Sequence, residues 1–554
     1  MQAATLYALA RSELAPFDGR LSTAWRVAAT CALTVMVFMT YGIPLAAIGC
    51  YLVLFLMKPN PAETLLMALG ICVLVALIVP VLFGVTWLTI EYPVARLAVI
   101  VALSGSFMFL GAASPVGPAG GIIALVIVFV LTLLGEVPVG EAATRAILYA
   151  ALMALAPMGV LLAFNAFFGQ PVRPRLRQAL AHRLDLATRL SRAPDPDSRR
   201  QALDILRAGD DDLEKMALFL RIFHAAPKAE TQALTQAIAA SRERLLAAAA
   251  GISPPPASPA PVTPADGQTD GQAMSSPLAT QGFFAPDAWR NPLYVRYALK
   301  TTLAAMICYW VYTTLQWQDI HTALITCYVG ALGTTAETLH KLTLRIVGCL
   351  IGAAIGMAAI YFFIPHMDSI GGLMVLVFLV TLLAAWVSTG SERSSYAGVQ
   401  IGLAFLLTIL QGFGPDISMD AAFYRVMGIL LGNVVMYLVF TRIWPVSVAS
   451  AVRAQLRPLA DSLGPCAGRP QGPGAPQLRA DAVPALRRLG HAREQLALIV
   501  FEPASVRPPA AAIARLRALL DDLEDFYLRA FRPGADTASV PAMRQRLQTE
   551  LETP

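Results

Sequence analysis

Charge is scarce in this sequence. Asp, Glu, Lys and Arg make up 14% of its 554 residues, where a soluble globular chain carries roughly 25%. Hydrophobic residues reach 56%, and mean hydropathy is +0.60. That balance excludes an ordinary soluble protein and places the chain in the membrane class. Cysteine is sparse too, with seven in all and no CxxC or Cys/His spacing. Cys31, Cys50, Cys72, Cys308, Cys327 and Cys349 lie in apolar runs and read as small hydrophobes. The chain therefore offers neither a metal site nor a disulfide framework. It also lacks GxxxxGK[ST], HExxH and GxSxG, so nothing in it supports ATP-driven transport, an enzyme or a cofactor. The net charge of +6 fits cytoplasmic Lys and Arg flanking membrane spans better than a nucleic-acid partner.

What the chain has is long apolar runs. A bilayer span takes about 20 mainly apolar residues. Six candidates fill the first third: 25–43, 44–57, 64–87, 94–113, 119–136 and 145–168. Six more occupy 295–315, 319–334, 338–364, 370–388, 395–412 and 421–444. Between the two sets lies a polar stretch with helical patterns at 173–192, 197–224 and 228–250, then the Pro-rich linker Ser253–Gln272. A helical tail closes the chain. The expected organisation is a first transmembrane half (1–169), a cytoplasmic helical region (170–251), a linker (252–289), a second transmembrane half (290–445) and a C-terminal cytoplasmic helical region (446–554). The fold class is all-α: a polytopic membrane protein of two parallel six-helix repeats, about 12 transmembrane helices in all.

Orientation follows from basic residues. Arg11, Arg20, Arg26, Lys58, Arg173, Arg175, Arg177 and Arg183 fall on one side, together with Arg290, Arg296, Lys300, Lys341, Arg345, Arg393 and Arg442. The other side holds few bases, mainly Arg96 and Arg145, beside Glu91, Glu136 and Glu141. Both termini and both polar regions are then cytoplasmic. No cleavable signal precedes the first span, which is expected to remain in place.

The repeat is legible in short echoes. "NPAETL" (Asn60–Leu65) returns as "TTAETL" (Thr334–Leu339), 274 residues on. Upstream, "APFDGRLSTAWR" (Ala15–Arg26) matches "APDAWRNPLYVR" (Ala285–Arg296) at an offset of 270. Downstream, "EAATR" (Glu141–Arg145) pairs with "DAAFYR" (Asp420–Arg425). Three matches in order on one hydropathy profile point to a duplication. Six spans per unit make it a parallel repeat, an architecture found in transporters but not confined to them.

Two readings apply to Ala-Glu-Thr-Leu. Asn60 and Thr334 suit an N-cap, with Glu63 and Glu337 three residues on, which is the capping-box spacing. Alternatively Glu63 and Glu337 are paired carboxylates beside a substrate path. Further along, "LRIVGCLIGAAIG" sets Gly348, Gly352 and Gly356 on one helix face, and "RVMGILLG" repeats the device with Gly428 and Gly432. Such strips admit close helix contact. Arg345 and Arg425 stand near the starts of those helices. A charge at a span's edge can snorkel to the interface; Arg345, a turn or more inside its span, has as its other reading a pairing with Glu337 or with an anionic ligand, and Ile71 occupies its place in the first half. The substrate-path candidates are Glu337, Arg345, Arg425, Glu63 and Arg145, with Tyr309, Trp310 and Trp386 as aromatic candidates.

At these residues the sequence resembles the fusaric acid resistance (FUSC) family, also called the aromatic acid exporters. The resemblance rests on "YALKTTLA" after Arg296, "GTTAETLHKLTLRIVGCLIGAAIG", "YRVMGILLGNVVMYLVFTRIWP" and, in the first half, "MKPNPAETL". It implies an inner-membrane secondary efflux transporter, driven by an ion gradient such as protons. Its substrates would be aromatic carboxylic acids such as fusaric or hydroxybenzoic acids. It also implies a periplasmic adaptor (membrane fusion) protein as partner, besides membrane lipid, and leaves a homo-oligomer open. The alternatives are a passive organic-anion channel, given a distant similarity to plant malate channels, and a membrane scaffold recruiting a cytoplasmic partner.

Overall fold

A computed structural model describes residues 14–16, 19–89, 91–133, 140–169, 171–193, 195–252, 283–317, 320–412, 420–467, 474–530 and 539–552. The linker Ser253–Gln272 lies outside them. The described residues are helical throughout and fall into two compact units. One joins 1–171 with 289–445, and the other joins 172–288 with 446–554.

The first unit contains α1 (Arg20–Tyr41), α2 (Ala46–Leu56), α3 (Pro61–Thr89), α4 (Pro93–Ala113), α5 (Pro118–Leu133) and α6 (Gly140–Phe168). The second unit begins with α7 (Val172–Arg192), α8 (Pro196–Ala208), α9 (Asp211–Ile222) and α10 (Lys228–Ala249). The chain returns to the first unit for α11 (Pro292–Thr314), α12 (Thr322–Gly330), α13 (Thr335–Phe362), α14 (Ile370–Ser388), α15 (Glu392–Ile409) and α16 (Asp420–Arg442). It ends in the second with α17 (Val448–Ala467), α18 (Gly474–Ala497), α19 (Ala510–Ala530) and α20 (Ser539–Glu552).

Seven helices among the described residues are long and apolar enough to cross a membrane: α1, α3, α4, α6, α13, α14 and α16. This is a multi-pass membrane protein. The apolar runs 44–57 and 319–334 fold differently from the full spans expected of them. Helix α2 has 11 residues and α12 only 9, rising about 16 and 13 Å against a hydrocarbon core of roughly 30 Å. The chain reaches α2 through Gly42, whose φ of +60° closes α1 in a left-handed turn that a glycine adopts without strain.

Helices from the two ends of the sequence interleave. Helix α1 packs on α14 and α4 on α11; α2 packs on α15 and α5 on α12. Arg20 ties the start of α1 to α14, donating from Nε and Nη2 to the Trp386 carbonyl at 3.0 and 2.6 Å. The broadest helix contact runs between α13 and α15. A Cβ at Gly348 would sit 2.6 Å from the Ala397 carbonyl, at Gly352 2.8 Å from Ala404 Cβ, and at Gly356 2.7 Å from Thr408 Cβ. Helix α15 answers with its own glycines: Gly398 faces Ala384 and Ser388 of α14, and Gly402 faces Leu54 of α2 and Ala384. Gly428 and Gly432 of α16 lie against Ile320, Thr322, Ala323 and Thr326 around α12.

The second unit is held by an apolar core, with Leu176, Leu206, Leu245, Leu486, Leu516 and Leu523 buried, and by ion pairs. The pattern at 197–224 breaks into two helices at Gly209, where φ is +82°. The next residue, Asp210, pairs with both Arg183 and Arg242. Glu524 is buried and takes Arg207 and Arg493 together. Glu502 accepts the first amide of α17, Val448 N–H, at 2.6 Å. Burial pushes its carboxyl upward from the ordinary range, against the pull of that bond. The two polar stretches, separate in sequence, thus share one unit.

Gly352→Leu should lower the thermal unfolding midpoint of detergent-purified protein sharply, by about 1–3 kcal/mol or more of overpacking. Leu350→Phe, on the exposed side of the same helix, should stay within ~0.5 kcal/mol of wild type. Equal midpoints would show that the α13–α15 contact tolerates bulk.

Candidate functional site

Arg345 sits ten residues into α13, about 15 Å along its axis. Its relative exposure is 1%. Nη1 donates to the Tyr396 hydroxyl at 3.0 Å, while Nε and Nη2 find no hydrogen-bond partner among the described residues. Arg425 of α16 is 7% exposed, and its Nε is likewise unmatched. Among the described residues, neither arginine forms an ion pair.

Four helices bring these groups together. Arg345 and Arg425 lie within electrostatic range of each other and of Tyr51 on α2. Cys349, one turn beyond Arg345, packs with Ala404 of α15 and Ile429 of α16. That contact fixes the register of the three helices. One turn from Ile429 is Asn433, buried, with no hydrogen bond at Oδ1 or Nδ2 among the described residues. One turn from Tyr396 is Gln400, buried against the Gly348 backbone, with Nε2 unmatched. Lys341, one turn before Arg345, holds Nζ 5.0 Å from the centre of the Tyr396 ring.

A buried N–H left without an acceptor costs about 1–3 kcal/mol, and more on a charged group. Two guanidiniums lie within electrostatic range of each other with donors unmatched among the described residues. Arg presents its donors as a planar fork, a geometry that suits a carboxylate.

The other candidate residues lie elsewhere. Glu337 closes a capping box at the start of α13: its N–H donates to Thr334 Oγ1 at 3.2 Å, and Oε2 accepts from Thr334 N–H at 3.1 Å. It is two turns, roughly 12 Å, from Arg345 along the helix. Glu63 occupies the matching first turn of α3, where Asn60 Oδ1 accepts Ala62 N–H at 3.0 Å. Arg145 is exposed on α6 and pairs with Glu141 of its own helix at 2.6 Å. Trp386 is taken up by Arg20, whose guanidinium lies 4.7 Å from its ring centre. Trp310 is exposed, and Tyr309 packs edge-on to Tyr312.

The shared element of the two Ala-Glu-Thr-Leu motifs is the threonine. Thr64 Oγ1 accepts Lys58 N–H at 3.0 Å and donates to the Asn60 carbonyl at 3.1 Å. Thr338 Oγ1 accepts Leu332 N–H at 3.1 Å and donates to the Thr334 carbonyl at 2.9 Å. Each threonine clamps the loop that follows its short helix.

Tyr396, Gln400, Asn433, Tyr51 and Lys341 were not singled out from the sequence. The signal was present: "SSYAGVQIG" and "LGNVV" place polar side chains inside apolar spans, where they are costly and seldom idle.

The fold is that of a multi-pass α-helical membrane protein with a buried cluster of cationic and amide side chains. Residues 304–439 match the family described as fusaric acid resistance protein-like. Among curated proteins, the chain is 37% identical over 191 residues to multidrug resistance protein MdtO of Escherichia coli (strain K12). It is 36% identical over 191 residues to the proteins of that name from Escherichia coli O157:H7 and Shigella flexneri. Each match covers 34% of this chain and 28% of the relative. No solved structure matches.

Thr338→Val should lower the unfolding midpoint, because two hydrogen bonds of the clamp are lost, at about 1 kcal/mol each. Glu337→Gln should leave the midpoint nearly unchanged, since Gln still reaches the Thr334 N–H. Differential scanning fluorimetry of the detergent-purified variants checks both.

Proposed function

We propose that the chain is an inner-membrane efflux transporter for aromatic carboxylic acids of the fusaric or hydroxybenzoic type. The observation that carries this reading is the buried pair Arg345 and Arg425, with unmatched donors and no acidic ion partner among the described residues. Tyr51 and Tyr396 lie beside them, and the Tyr396 hydroxyl accepts from Arg345. The family match and the names of the relatives support export. The carboxylate passes between α13, α15 and α16, and the path lies in the second membrane half.

The same reading takes the membrane unit as two parallel six-helix repeats of about 12 helices in all, α1–α6 and α11–α16. Several parallels support it. Thr64 and Thr338 make the same bonds 274 residues apart. Cys31 and Cys50 meet across α1 and α2 as Cys308 and Cys327 do across α11 and α12, with 19 residues between partners in each case. Most helix neighbours correspond as well, the largest difference being that α13 packs closely on α15 while α3 barely meets α5. The distribution of Lys and Arg puts both termini and the second unit in the cytoplasm. A periplasmic adaptor completes the export route, and a proton gradient drives it.

A passive anion channel is the second reading. One feature favours it: among the described residues, no Asp or Glu is paired with the site arginines, and so no acid there exchanges a proton with the substrate.

The test is accumulation of radiolabelled 4-hydroxybenzoate in cells expressing the protein. Arg345→Gln and Arg425→Gln should each raise accumulation to that of cells without the protein, at unchanged membrane abundance. Arg145→Gln should not. Efflux that persists in both site variants would overturn the assignment. Abolition by an uncoupler marks a driven exporter, and continued equilibration marks a channel.

A further inference from the structure

We propose that Tyr396 is a built-in stand-in for the transported ligand: it holds Arg345 and Lys341 until an aromatic anion displaces it. The inference rests on the anion-binding reading above and adds how the site selects its ligand. Tyr396 meets two cations one turn apart on α13 in two different ways. Its hydroxyl oxygen accepts from Arg345 Nη1 at 3.0 Å, and its ring lies 5.0 Å from Lys341 Nζ. An aromatic carboxylate would offer the same pair of features, a ring for the ammonium and oxygens for the guanidinium.

The exchange favours the ligand. A carboxylate makes charge-assisted bonds roughly twice as strong as those of a neutral phenol oxygen. It also supplies further acceptors for Arg345 Nε and Nη2, which the single phenol oxygen leaves unmatched. An aliphatic carboxylate could take Arg345 but would give Lys341 no ring in place of the one lost. Selection for aromatic acids is thus written into what must be displaced. The backbone carrying Tyr396 is fixed, because Gly398 and Gly402 seat α15 against Ala384, Ser388 and Leu54. The side chain itself is half-buried, four residues into its helix, so the displacement is a turn of the tyrosine about its own side-chain bonds on a fixed helix.

The experiment titrates purified full-length protein in lipid nanodiscs with 4-hydroxybenzoate and with hexanoate. Tyr396→Phe keeps the ring against Lys341 and frees Arg345. If the tyrosine competes with the ligand, apparent affinity for 4-hydroxybenzoate should rise by about three- to tenfold, the factor by which the competent state was depleted. Lys341→Met should weaken 4-hydroxybenzoate binding while leaving hexanoate binding nearly unchanged. Unchanged or weaker binding by Tyr396→Phe, with binding still abolished by Arg345→Gln, would overturn the stand-in and leave the anion site intact. Failure of wild type and Tyr396→Phe alike to bind either acid would overturn both.

Discussion

A guanidinium placed among apolar side chains has to find acceptors for five N–H donors, and this bundle supplies Arg345 with a single phenol oxygen. The rest of the membrane unit follows from that constraint. Arg345 is buried where α13 and α15 approach along Gly348, Gly352 and Gly356, closely enough that a methyl group would strike the facing backbone at the first two and the Thr408 side chain at the third. The same approach delivers Tyr396 to Arg345 and Gln400 to Gly348. Helix α16, seated on α12 through Gly428 and Gly432, brings Arg425 and Asn433 to the third side. Small residues set the helix spacing, and the spacing sets how many donors stay unspent.

Helix α3 and the surroundings of Tyr328 lack that device. Ile71 stands where Arg345 would be, α3 carries no glycine strip, and α3 scarcely meets α5. Tyr328, which stands in α12 as Tyr51 stands in α2, is held in a neutral hydroxyl trio with Ser104 and Thr302 at 2.8 and 2.9 Å. These three hydroxyls satisfy one another, whereas Arg345 Nε and Nη2 and Arg425 Nε find no partner among the described residues.

Much of the framework was legible in the sequence, and the site was only half legible. Apolar runs bounded by Gly, Pro and Asn gave the helices because hydrophobic periodicity and caps are local. Arg345 and Arg425 stood out because charge inside a span is rare. Their partner Tyr396 did not, since its role depends on α15 packing parallel to α13, which spacing along the chain does not encode. The run 44–57 already reads as short for a span, but the 9-residue length of α12 was hidden for a similar reason: apolar composition continues through Ala331 although the helix stops. Glu337 drew notice through its motif, but its carboxylate closes a capping box and the threonine after it holds the loop. The ion pairs of Asp210 and Glu524 draw on residues distant in sequence, so the sequence did not show that the two polar stretches share one unit.

The most direct measurement is a cryo-electron microscopy map of the full chain in nanodiscs with 4-bromobenzoate. The account predicts ligand density between Arg345 and Arg425, with the carboxylate on the guanidiniums and the Tyr396 hydroxyl withdrawn from Arg345. A map with ligand bound elsewhere, and Tyr396 still accepting from Arg345, would contradict it.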